Sequence, residues 1–154
     1  MRNEGAILTG WYAGEVGGEA LFTAQAATAP PDAARKWLAL ARVEAAVAAR
    51  LATVMAERRI PIPDIENAAV RARQRCEATA GRSWPEVMQW LHRLAAAALE
   101  EMQADAATLP VELEPVAKLV VDHETALVAF AQRELAGDAA QSLRPVEAFL
   151  GAFA

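Results

Sequence analysis

Apolar residues recur at helical spacing in four long stretches of the chain, each bounded by residues that start or stop a helix. The first predicted helix covers about residues 4–27 and ends at "ATAPPDAA", where Pro30 and Pro31 stop one helix and Asp32 can help open the next. The second covers about residues 32–58 and ends at "RRIPIPD". The third opens at "GRSWPEVM", with Ser83 as cap, Pro85 in the first turn and Glu86 at capping-box spacing, and runs to about residue 108. The fourth starts near Glu114 and stops at "ELAGDAA", where Gly137 stands as a C-terminal cap.

Between the second and third stretches, "IPIPDIENAAVRARQRCEATAGR" is far longer than a turn between neighbouring helices, and it predicts a shorter helix over about residues 64–80. The tail "SLRPVEAFLGAFA" predicts a last short helix packed over one end. Two antiparallel helix pairs separated by a long connection make the plan of a four-helix bundle with a crossover. Composition agrees. Hydrophobic residues make up 55 % of the chain, much of that alanine, while Val, Ile and Thr are too scattered to build strands. The expectation is one all-α domain over residues 1–154.

The polar residues that fall on the apolar stripes carry the candidate chemistry. At about 100° per residue, Glu124 in "LVVDHETALVAFA" has Val120, Val121, Leu127, Val128, Ala131 and Leu135 within roughly 60° of it. Glu44, in "KWLALARVEAAVAARLATVM", is as central, among Trp37, Leu40, Val47, Ala48, Leu51 and Met55. In the first helix Glu15 shares a face with Leu8, Trp11, Tyr12 and Phe22, with Glu19 about 40° away one turn on; either can point inward. Gly14, Gly17 and Gly18 suggest a close backbone approach there. In the third helix Val87, Trp90, Leu91, Leu94, Ala97 and Ala98 define a stripe that places Glu101 on its side. His123 lies about 100° from Glu124, at the flank of its stripe, where a half-buried structural histidine or a peripheral ligand is expected. An ionised carboxylate in an apolar face has to be protonated, paired or bound to metal, or else reach solvent through its flexible stem. One buried Glu is unremarkable in that light; one from each of four helices describes a site.

Charge narrows the partners. A formal net charge of −5 and a pI near 5.1 argue against a nucleic-acid backbone as partner, and the short basic run "RARQRC" reads as a solvated helix face balanced by Glu66 and Glu77. No apolar run reaches the length of a membrane span and the N-terminal residues do not read as a signal peptide, so no membrane partner and a cytoplasmic location are expected. The single cysteine, Cys76, reads as an ordinary thiol.

The segments "GEVGGEALF", "LARVEAAV" and "VVDHETAL" resemble the carboxylate-bearing helices of the ferritin-like superfamily, in particular rubrerythrin-like proteins and aldehyde-deformylating oxygenases. The resemblance implies a ferritin-like four-helix bundle with a metal centre in its core. Glu15, Glu44, Glu101 and Glu124 take the carboxylate positions, with Glu19 and His123 in reserve. It also implies iron or manganese as cofactor and metal-dependent oxidoreductase chemistry. Two departures stand out: Val47 and Leu127 occupy the positions, three residues after Glu44 and Glu124, where such sites carry histidines. The expected site is therefore degenerate or all-carboxylate, oxygen-rich, and better suited to manganese, magnesium or calcium than to a redox-tuned iron pair. The competing expectation is a metal-free binding or interaction bundle. Close-packing alanine-rich helices, with Trp11, Trp37, Trp84 and Trp90, also suit a homodimer interface.

Overall fold

The computed structural model describes residues 2–153, all of whose regular structure is helical. Six α-helices follow one another: α1 (Glu4–Thr28), α2 (Pro31–Glu57), α3 (Ala68–Thr79), α4 (Trp84–Ala106), α5 (Glu114–Leu135) and α6 (Arg144–Phe153). Single 3₁₀ turns over Val111–Leu113 and Ala139–Gln141 precede α5 and α6. No helix among the described residues is long and apolar enough to cross a membrane.

The boundaries follow local chemistry. Ser83 accepts a hydrogen bond from the Glu86 amide while the Glu86 carboxylate accepts one from the Ser83 amide, the reciprocal capping box expected from the spacing. Gly137 follows α5 with φ +82°, a left-handed value that glycine adopts without steric penalty. α2 opens on Pro30 and Pro31 without a side-chain cap; Asp32 lies in its first turn, where an acid favours the helix N-terminus as expected, and its carboxylate meets the Arg35 guanidinium at 3.0 Å. The crossover helix is shorter than expected, since Pro61 and Pro63 keep the chain extended and Asn67, at φ +63°, turns it into α3.

Helices α1 and α2 pack as one hairpin, α4 and α5 as a second; α3 lies along α1, while α6 covers α5 and touches α2. One apolar cluster joins all six helices, from Leu8 and Phe22 through Leu40, Leu51 and Leu91 to Leu127, Phe130 and Val146. The tryptophans belong to this core. Trp37 stacks on Phe22 at 5.7 Å and meets Trp84 edge-on at 5.6 Å; Trp11 is buried, and Trp90 packs partly buried against the cluster.

Candidate metal centre

Four polar side chains meet in the middle of this apolar core. Glu15 comes from α1, Glu44 from α2, and His123 and Glu124 from adjacent positions on α5; none is more than 6 % exposed. The His123 Nε2 lies 3.0 Å from Glu15 Oε2, 3.3 Å from Glu124 Oε2 and 3.8 Å from Glu44 Oε2. Glu15, Glu44 and His123 form the tightest part, each presenting one ligand atom within 4.8 Å of the others. Glu124 stands against the imidazole from its own helix.

The histidine's second nitrogen fixes its orientation. Nδ1 faces the carbonyl oxygen of Val120, which can only accept, so Nδ1 carries the hydrogen. In the neutral ring, Nε2 is then left with a lone pair aimed at carboxylate oxygens. His123 Nε2 and Glu15 Oε2 are buried without a hydrogen-bond partner although they face each other. Two acceptors at 3.0 Å repel unless a cation or a proton stands between them. Backbone anchoring of one imidazole nitrogen with the other free is also how metal-binding histidines are held.

Burial dominates the protonation of the acids. It pushes Glu15 up to about 8; a hydrogen bond with Glu44 works against this and the charge of Glu124 adds to it. Burial and then the charge of Glu15 hold Glu44 well above the usual carboxylate range. Burial raises Glu124 to about 7, with His123 opposing and Glu44 reinforcing the shift. The cluster therefore holds protons at neutral pH in the absence of a cation, and Glu15 and Glu44 lie close enough to share one.

Two glycines and an apolar wall complete the surroundings. A Cβ at Gly18 would lie 2.8 Å from both Cδ and Oε2 of Glu44, so only glycine lets the α2 carboxylate lie against α1. Beside the acids is a cavity of about 150 Å³, walled on the α4 side by Leu91, Leu94, Ala95, Ala98 and Met102. Gly14 and Arg75 also border it.

Sequence and structure part at three residues. Glu101 is exposed: the buried face of α4 runs through Met88, Leu91 and Ala95 to the half-buried Met102, rotated away from the stripe expected on Trp90 and Ala97. The alanine run at residues 95–98 leaves that face undefined, and the larger Met88 and Met102 decide it. Glu19 is exposed too, at the rim, close enough for its charge to raise Glu44 but outside the converging group. His123 departs the other way. Expected half-buried at a flank, it is fully enclosed because α6 covers that side of α5, with the Phe149 ring 6.2 Å from the imidazole. The polar side chains that converge are thus three carboxylates and an imidazole from three helices, and not one carboxylate from each of four.

A further acid with an enclosed side chain was not foreseen. Glu134 of α5 accepts from Lys36 Nζ, from Ser142 Oγ at 2.7 Å and from Trp84 Nε1 at 2.8 Å. Lys36 also donates to the Ala139 carbonyl at 3.2 Å. The sequence signal was faint: Glu134 lies eleven residues after His123, on the same flank of α5. Cys76 is half-buried with its thiol pushed up by burial, as an unreactive cysteine would be.

Compared with known proteins, the chain matches no family model, no curated protein and no solved structure.

Proposed function

We propose that the chain is a ferritin-like helical domain that binds one divalent metal ion through Glu15, Glu44 and His123, with Glu124 completing or adjusting the set. The observation that carries this reading is the pair of buried, unpartnered acceptors, Glu15 Oε2 and His123 Nε2, facing each other at 3.0 Å in the apolar core. A cation removes their repulsion and takes up the charge of the neighbouring carboxylates in one step. The mixed oxygen and nitrogen donors suit manganese, iron(II) or zinc better than the calcium or magnesium that oxygens alone would favour. Three carboxylates and a single imidazole supply one ion, short of the six donors with which related bundles hold two.

Bound there, such a metal supplies Lewis acidity and, for iron or manganese, electron transfer. The residues' own parts follow from their positions. His123 presents Nε2 because Val120 holds Nδ1; Gly18 gives Glu44 its room; Glu124, raised to about 7 while the cluster is metal-free, gives up its proton near neutral pH when a cation arrives. The cavity on the α4 side gives a small molecule access to the same acids.

Titration of metal-free protein with Mn(II), Fe(II) and Zn(II), followed by calorimetry and elemental analysis, tests the reading. One ion per chain is expected, with about 2.7 kcal/mol of added stability at a free concentration a hundredfold above Kd. Glu44→Ala and His123→Ala should each abolish it. Absence of bound metal and of any stabilisation in the unmodified chain would overturn the proposal. One observation favours a metal-free binding bundle as the second reading: Glu15 and Glu44 can share a proton and so remain buried without an ion. That reading requires Glu44→Gln to stabilise the protein whether or not metal is supplied.

A further inference from the structure

Helix α1 carries glycines that packing does not explain. An added Cβ at Gly14 or Gly17 meets nothing within 4 Å, in contrast to Gly18. Glycine in a helix interior is less stable than alanine, so these two keep space open at some cost to α1. The space is a groove between α1 and α3, lined by Gly14, Gly17, Ala68, Arg71 and Arg75. Gly14 and Arg75 also border the cavity beside the acids, so the groove and the cavity adjoin. Arg75 borders both the groove and the cavity and, like most of the chain's arginines, is in no ion pair among the described residues, so its charge is available at that opening.

We propose that this cavity binds a small organic anion with a short apolar body, entering between α1 and α3 across Gly14. Its anionic end pairs with Arg75 at the mouth, and its body lies against Leu91, Leu94, Ala98 and Met102. The α4 wall offers that body no polar group where a fourth carboxylate was expected, since Glu101 faces solvent. Size sets the class. The cavity of about 150 Å³, apolar along its α4 wall and bordered elsewhere by Glu15, Glu44 and Glu124, accepts a molecule the size of benzene, so a chain of about six carbons fills it with the charged group left at the mouth, away from those acids. Arginine at the mouth selects a carboxylate over a neutral chain of the same length through paired, charge-assisted hydrogen bonds. The inference rests on the metal-site reading only in sharing its cavity, and the two fail separately.

Calorimetry with hexanoate and with hexanol, on the full chain both metal-free and loaded with Mn(II), tests it. Hexanoate is expected to bind both forms. Arg75→Gln, at an exposed position and so without consequence for folding, should weaken hexanoate about tenfold or more and leave hexanol unchanged. Ala98→Phe should fill the cavity and weaken both probes by at least about tenfold, with a cooperative thermal transition showing that it folds. Mn(II) affinity, read in the same titrations, should survive both substitutions. Failure of hexanoate to bind the unmodified chain at millimolar concentration would overturn the proposal. So would hexanoate binding that is unaffected by Arg75→Gln, or that appears only in the Mn(II) form, because the carboxylate would then sit on the metal.

Discussion

Helices α2 and α5 meet through buried charge in two places, and the two are built oppositely. Near the start of α2, the Glu134 oxygens receive Lys36, Ser142 and Trp84 as donors. Burial would raise that carboxyl, but the hydrogen bonds from Lys36, Ser142 and Trp84 and the lysine's charge outweigh it and hold it below the usual carboxylate range. In the middle of the same helices, Glu44, Glu124 and Glu15 surround one imidazole and receive no comparable donors, and all three carboxyls are raised. The carboxyl groups are shielded from solvent in both places, so shielding alone does not distinguish a structural charge from a site. The supply of donors does: a satisfied carboxylate has no affinity left to offer, while acceptors facing acceptors have an unmet need for a proton or a cation.

The largest effect that can break this comparison is Lys36→Met. Removing one partner of a buried ion pair leaves Glu134 uncompensated and should cost about 3–5 kcal/mol in chemical denaturation. Glu44→Gln in metal-free protein should have the opposite sign, because it removes a group that is costly to ionise. Equal destabilisation by both would show the central cluster to be as well paired as the outer one.

The pH dependence of stability separates the two clusters next. Glu15 and Glu124 have folded values raised to about 8 and about 7, so their favourable contribution is complete below the unfolded value of 4.5. It is lost as pH rises to about 7 for Glu124 and about 8 for Glu15, at a cost on the order of 3–5 kcal/mol per group. Glu134 is lowered, so its contribution is present above the unfolded value and is lost in acid as pH falls through its folded value. Metal-free protein should thus lose stability at both ends of a pH series of thermal melts. Glu124→Gln should flatten the alkaline limb alone, and saturating Mn(II) should do the same by replacing the protons. An alkaline limb unchanged by Glu124→Gln would contradict the assignment.

What the sequence revealed follows the same division. Helix ends were legible where a few adjacent residues decide them, as at Ser83 with Glu86 and at Gly137. Glu44 and Glu124 were legible because each interrupts a stripe of large apolar residues whose direction is unambiguous, whereas in α1 the choice between Glu15 and Glu19 stayed open until the structure turned Glu15 inward. Glu101 was misplaced where four consecutive alanines make every direction equally apolar. His123 and the Lys36 network were beyond the reach of periodicity: the first is enclosed by α6, the second assembled from α2, α4, α5 and the turn before α6. Both depend on elements distant in sequence.

The smallest expected effect on stability comes from two adjacent glycines, and it separates fold from site most finely. Gly17 and Gly18 carry the same helix-propensity penalty, so replacing either by alanine should gain up to about 1 kcal/mol if nothing else changed. At Gly17 nothing else changes, since the new methyl group meets no atom within 4 Å; a small rise in melting temperature and unaltered Mn(II) affinity are expected. At Gly18 the methyl group would occupy the place of the Glu44 carboxylate, 2.8 Å away. That carboxylate ends a flexible side chain and can swing aside, so Gly18→Ala should fold with stability within about 1 kcal/mol of the parent. The displaced carboxylate no longer faces His123, however, and Mn(II) affinity should fall about tenfold or more by calorimetry. If affinity held in Gly18→Ala, Glu44 would not be a ligand, and the glycine beside it would serve helix packing alone.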